Sequence, residues 1–288
     1  MEYDAASGNV TNGSNFVAWT PMGYYKSDDD YVEYKGTFDG QGHTISGLYL
    51  DNRELNNVGL FGRNSGTIKN VGVIDSYFCG KNQVGGVCGN NVNGGTISDC
   101  YNMGSVSGNN LVGGVCGENG GTIIGCYNTG SVSGDNQVGG VCGYNEGTIT
   151  NCYYLASNDG GNGGKTTAQF KSGEVAYLLS QGSTVTDGEN TTYYSGASWG
   201  QQLGSDDYPV LSDYKVIKAA EGDNKTYWAT FSNQSSDMDL SDLTVYTATV
   251  SEGILTLTQC TNKIVAMGEG VLVKGNSEYL NAKARNEK

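Results

Sequence analysis

Val112-Gly113-Gly114-Val115-Cys116-Gly117 is followed by Gly121-Thr122-Ile123, by Cys126-Tyr127-Asn128 and by Gly130-Ser131-Val132-Ser133-Gly134. The same signatures return 26 residues later, as Val138 to Gly143, Gly147-Thr148-Ile149 and Cys152-Tyr153. They also come before it, as Val84 to Gly89, Gly95-Thr96-Ile97, Cys100-Tyr101-Asn102 and Gly104 to Gly108. A shorter copy reads Val58-Gly59-Leu60-Phe61-Gly62 and Gly66-Thr67-Ile68, and an earlier one is read as starting at His43-Thr44-Ile45. Each copy holds three short strand-like pieces between Gly, Asn and Ser. None can bury a face alone, but stacked copies about 4.8 Å apart pair each strand with its equivalents. The copy is too short for a propeller blade.

The fold expected is all-β: a right-handed parallel β-helix (β-solenoid) with end caps, handed as parallel crossovers usually are. Three columns should point inward: Phe38, Phe61, Cys88, Cys116, Cys142; Ile45, Ile68, Ile97, Ile123, Ile149; and Leu48, Val71, Cys100, Cys126, Cys152. Residues 1–35, with Trp19 and Tyr24-Tyr25, are expected to cover the first coil. At the other end, one helix over Thr166–Gln181 and a plug from Trp199 to Val210 are expected. From Lys215 glycine thins out and strict alternation sets in, with Glu252-Gly253 as a hairpin turn. This predicts a small antiparallel β-sandwich-like module over 215–288, after a solenoid domain over 1–214.

Glycine is abundant, at 46 residues, and proline scarce, at two, which excludes collagen and proline-rich disorder and fits short strands with tight turns. The net charge is −14, with 8 basic and 21 acidic residues in 1–214 against 8 and 9 in 215–288. Without a basic stripe, nucleic acid is excluded as an expected partner. No apolar run reaches membrane-spanning length. No charged segment followed by an apolar one opens the chain, so any secretion signal is expected to have been removed or never present.

The Val-Gly-Gly-Val-Cys-Gly copies, the Gly-Thr-Ile steps and the Cys-Tyr-Asn-x-Gly-Ser-Val-Ser-Gly stretches at 100–108 and 126–134 resemble the GLUG-motif family of bacterial secreted and cell-surface proteins. Trp19-Thr20-Pro21-Met22-Gly23, Gly36 to Ile45, Phe170 to Tyr177 and Tyr208-Pro209-Val210-Leu211 extend the resemblance over about residues 15–214. The C-terminal part is similar, more weakly, to accessory β modules of bacterial surface proteins. The resemblance implies a β-helix with a secreted or cell-surface location and an adhesion role, and it carries over no catalytic residues. Some metallopeptidases that cut immunoglobulin A hold the motif outside their catalytic domain, but their His-Glu-x-x-His helix is absent here.

Six of the eight cysteines lie in two of the columns. They are read as reduced fillers of a narrow interior, since Phe61 and Val71 share their positions. Intra-coil disulfides or a metal column are the alternatives, but no Cys-x-x-Cys spacing favours zinc. His43 is the sole histidine, so no two-histidine metal motif exists and any triad would depend on it. The columns Gly47, Asn70, Asp99, Gly125, Asn151 and Arg63, Asn90, Glu118, Tyr144 hold one carboxylate each. Asp28-Asp29-Asp30 reads as a solvated turn. No catalytic residue, metal ligand or cofactor is therefore expected. Tyr101, Tyr127 and Tyr153 each follow a column cysteine. If the cysteines point in, the rings point out, as a stripe on which a glycan or an extracellular host protein binds. The alternative is that the rings stabilise the coil. The function expected is a non-catalytic adhesion module or rigid stalk; the alternative is a carbohydrate-active β-helix enzyme. The oligomeric state is left open.

Overall fold

The computed structural model describes residues 2–4, 9–11, 17–27, 29–157, 162–187, 190–196, 198–234 and 236–285. It divides into two compact units, residues 1–166 with 182–196, and residues 167–181 with 197–288.

The first unit is a β-solenoid of parallel strands in successive coils. Each full coil carries five short strands rather than three. In the third coil they are Asn82–Gly85, Cys88–Asn91, Thr96–Ser98, Tyr101–Asn102 and Ser105–Ser107. The coil-to-coil register is the one the repeat dictates: Cys88 opposite Cys116 opposite Cys142, and Ile97 opposite Ile123 opposite Ile149. Burial follows the columns, with Phe61, Cys88, Cys116, Ile68, Ile97, Ile123, Cys100 and Cys126 fully enclosed. Coils turn at Asn70, Asp99, Gly125 and Asn151, with φ of 55°, 49°, 62° and 52°. Only Gly, Asn and Asp enter this left-handed region at small cost, which explains the composition of the column.

The first coil is shifted from the sequence reading. Phe38 pairs with Ile68, so Gly36-Thr37-Phe38 is the Gly-Thr-Ile step of that coil. Ile45 pairs with Val73, which leaves the exposed His43 level with Val71 in the column continued by Cys100. Leu48 and Tyr49 pair with Val17 and Ala18, and Leu50 with Phe78, and Gly47 stands beside Asp75. The reason is local: two Gly-x-Thr-like steps lie within ten residues, and only the hydrogen-bonded partner separates them. Met22 and Tyr34 bridge to Phe61 and Asn64, with an antiparallel hairpin of Tyr24–Ser27 and Asp30–Val32 between them. Trp19 packs on the core, its indole N–H donating to the carbonyls of Gly59 and Leu60 at 3.1 and 3.3 Å. Asp28 lies outside the described residues.

A further hairpin of the same unit, Ser183–Asp187 with Asn190–Tyr194, is antiparallel.

In the second unit the single expected helix is two, α1 (Thr167–Lys171) and α2 (Glu174–Ser180). Gly173, at φ 91°, breaks the run between them. The helices and Trp199 belong with the C-terminal strands, not with the solenoid. Ala176 packs with Val216 and Tyr279, and Asn281 bridges the segment, accepting from Leu203 N at 2.6 Å and donating to Gln201 O at 2.7 Å. The compact units thus do not part at 214/215. The strands from Tyr214 onward form a four-stranded and a five-stranded antiparallel sheet. Both contribute to one core, Ile217, Met238, Leu280 and Ala282 from one and Val245, Val271 and Val273 from the other.

Candidate functional site

The outer surface of the solenoid follows from its inner columns. Because Phe38, Ile68, Ile97, Ile123 and Ile149 point inward, Thr37, Thr67, Thr96, Thr122 and Thr148, one residue earlier, form an outward ladder. The glycines before Thr67, Thr96, Thr122 and Thr148 have no room for a side chain. A Cβ on Gly121 would come within 2.1 Å of the Gly95 carbonyl oxygen, and one on Gly147 within 2.1 Å of that of Gly121. Beside the ladder, then, runs bare backbone.

The Ser183–Tyr194 hairpin faces this floor and makes a cleft of about 490 Å³ with it. Thr96, Thr122 and Thr148 line one side; Val185, Thr186, Thr192 and Tyr194 line the other. Gly94, Gly120 and the carboxylate of Glu146 complete the lip. Val185 pairs with Thr192 and Ser183 with Tyr194, so Val185, Thr192 and Tyr194 share one face of the hairpin. The lining offers hydroxyls, glycine backbone and one aromatic ring, with one carboxylate among the described residues.

Beyond Glu146 the surface continues onto the column Arg63, Asn90, Glu118, Tyr144, whose register is as the sequence predicts. Tyr144 is exposed, and its hydroxyl donates to Glu146 Oε1 at 2.9 Å. That hydrogen bond to a carboxylate raises the phenol above its ordinary titration range. Glu118 Oε2 accepts from Gln83 Nε2 at 2.7 Å and Asn90 Nδ2 at 3.3 Å. At the far end Arg63 donates to Glu33 at 3.1 Å and lies over the rings of Tyr25 and Tyr31.

The tyrosine stripe is not on this surface. Tyr101 and Tyr127 are 4% and 0% exposed, and their rings stack at 5.1 Å and 3°. Tyr153 is half-buried and donates to Asn151 Oδ1 at 2.8 Å. The inward-outward rule fails here because the strand Tyr101–Asn102 has two residues, follows a left-handed corner and buries both side chains. Tyr101 fills the space left by Gly72, where a Cβ would meet its ring at 2.2 Å. Burial raises the Tyr101 phenol. Rings so enclosed offer no face to a ligand, so for Tyr101 and Tyr127 the expected exposed stripe is corrected to scaffold.

All eight cysteines are free thiols. Cys116 donates to Glu118 O at 3.0 Å and Cys100 to Ser98 O at 3.1 Å, so each thiol also closes a local turn. Among the described residues no group of three or more His, Cys, Asp or Glu is placed to hold a metal ion.

Sequence reasoning missed the asparagine ladders. Asn64, Asn91, Asn119 and Asn145 are joined Nδ2 to Oδ1 at 2.8, 2.8 and 2.7 Å. Asn102 joins Asn128 at 2.8 Å, and Asn136, Asn110 and Asn82 form another chain. The signal was present: an asparagine lies shortly before each Gly-Thr-Ile step. In the compact copies it is two residues before the glycine, and its amide bonds the backbone of that glycine, as Asn64 does with Gly66.

Residues 134–154 match the family model described as the GLUG motif. The chain carries the GLUG motif. The matched stretch spans Cys142 and the Gly147-Thr148-Ile149 step, so the GLUG copy supplies the last rung of the cleft floor. Halomucin of Haloquadratum walsbyi is 37% identical over 118 residues, which is 40% of this chain and 1% of Halomucin. The chain thus spans about a hundredth of that relative's length. A solved structure from Bacteroides ovatus, described in its title as that of a putative immunoglobulin A1 protease, aligns over 65% of this chain and 79% of its own. Its TM-score is 0.40 and its identity 18%. Among the described residues no helix is long and apolar enough to cross a membrane.

Proposed function

We propose that this GLUG solenoid is a non-catalytic binding module of a surface or secreted protein, and that it holds a linear glycan in the cleft beneath the Ser183–Tyr194 hairpin. The observation that carries this reading is the ladder of Thr96, Thr122 and Thr148 forming one wall of that cleft. Its hydroxyls repeat at the strand spacing of about 4.8 Å, close to the length of one sugar residue, so successive residues of a chain meet equivalent partners. Tyr194 supplies an aromatic surface on the opposite wall. Glycoside hydrolysis by the usual route uses two carboxylates flanking one bond, whereas Glu146 is the one carboxylate lining the cleft among the described residues. The surface location rests on the GLUG motif and on the similarity to Halomucin.

Native electrophoresis through gels containing soluble neutral polysaccharides tests the proposal. At least one polymer should retard the chain. Thr122→Val keeps the strand shape and removes one hydroxyl, and should weaken retardation about fivefold, the value of one hydrogen bond. Tyr194→Ala should weaken it further. Unretarded migration through every polymer, or retardation that both variants leave unchanged, would sink the cleft as a glycan site.

A further inference from the structure

The six column cysteines of the solenoid stand one above the other. Cys88 pairs with Cys116 and Cys116 with Cys142. Cys100, Cys126 and Cys152 come directly before the paired Tyr101, Tyr127 and Tyr153, so they are level too. Within a column the thiols share one orientation. Cys116 and Cys142 donate to the carbonyls two residues on, at 3.0 and 3.2 Å. Cys100, Cys126 and Cys152 donate to the carbonyls two residues back, at 3.1, 3.3 and 3.2 Å. Side chains held in one orientation on stacked coils repeat at the strand spacing, so neighbouring sulfurs lie about 4.8 Å apart. The thiol of Cys116 interacts with that of Cys142 along this line, and Cys126 with Cys152. One end of each column is shut, by Phe61 beside Cys88 and by Val71 level with Cys100. At the other end Cys142 and Cys152 are half-buried.

We propose that these columns bind Cu(I), taken up at the last coil and held in line between Cys116 and Cys142 and between Cys126 and Cys152. Soft thiolates select this soft monovalent ion. Two metal–thiolate bonds of about 2.3 Å placed end to end span about 4.6 Å, close to the rise between coils. The ion therefore enters between two sulfurs that already stand at the required separation. Zinc needs four tetrahedral ligands, and among the described residues no group of three or more His, Cys, Asp or Glu is placed to supply them. Binding moves both protons of a thiol pair to solvent and puts one positive charge between two thiolates, leaving a single negative charge. That charge lies nearest to solvent at the half-buried members, Cys142 and Cys152. The bound ions tie the last coil to the one before it. Thr148, the last rung of the cleft floor, belongs to that coil, so the metal steadies the cleft without entering it.

Anaerobic titration of the whole reduced chain against Cu(I) held by bicinchoninate tests the proposal. The chain should withdraw one Cu(I) per column, and X-ray absorption at the copper edge should show two sulfur neighbours in line. Removing even an outer partner of a bound metal costs roughly tenfold to a hundredfold in affinity. Cys142→Ser with Cys152→Ser removes a direct ligand from each column and should weaken uptake at least about a hundredfold. Cys79→Ser with Cys260→Ser removes the two cysteines outside the columns and should leave uptake unchanged. Copper that stays with bicinchoninate overturns the proposal, and that result does not depend on whether a variant folds. Three or more neighbours per copper, or equal weakening by both double variants, also overturns it, since scattered thiols rather than the columns would then hold the metal.

Discussion

Tyr127 lies flat on Tyr101, and its exposure is zero. Truncation to alanine would empty a large enclosed volume, and such aromatic deletions in cores cost about 3–5 kcal/mol. Tyr127→Ala should therefore lose that much in urea unfolding, and a loss below about 1 kcal/mol would return the ring to the surface. The position of the ring was not legible in the sequence, because strict alternation holds only along strands long enough to have two faces. Tyr101–Asn102 sits directly after a corner, and both its side chains are buried. Cys116, by contrast, was legible: it shares its column with Phe61, and small and large apolar residues alternating at one position mark an interior. Thr122 was visible as a repeated residue, but its part in a cleft depends on a hairpin some sixty residues away that no periodicity links to it.

At the scale of the element, the thiol columns and asparagine ladders bind coil to coil. Burial, the leading cause for Cys116, Cys126 and Cys152, pushes these thiols well above their ordinary range. Cys142 is raised first by its hydrogen bond with Cys116 and then by burial. In the unfolded chain such thiols ionise around their ordinary value of 9.0. Above that pH the unfolded state releases protons that the folded state keeps, so the unfolded state binds fewer and stability falls as pH rises. Below it the thiols are protonated in both states and their contribution is fully present. The urea midpoint should thus hold steady up to about pH 8 and fall from about pH 9 upward. Cys116→Val with Cys126→Val should flatten that fall. A midpoint unchanged to about pH 10.5 would contradict the buried-thiol account. The repeat made the coil register legible from Phe61 onward. It did not do so for the first coil, where Gly36-Thr37-Phe38 and His43-Thr44-Ile45 compete for one position and backbone pairing decides.

Across the whole molecule, the change of texture at Lys215 marked a real difference in architecture but not the division into units. Glycine content and alternation report strand type. They are silent on which core an amphipathic helix joins, and α2 joins Val216 and Tyr279. The solenoid presents a polar cleft, and the hairpin Thr244–Ser251 with Ile254–Gln259 leaves Val250 and Leu255 exposed. The central claim is that the cleft holds a glycan without cleaving it, and isothermal titration calorimetry reads both halves of that claim in one trace. Injecting the chain's retarding polysaccharide should give heats that saturate at a fixed stoichiometry and return to baseline after each injection, and Tyr194→Ala should weaken them. Heat flow that persists after each injection in proportion to the polysaccharide added would mean turnover, and would contradict the account.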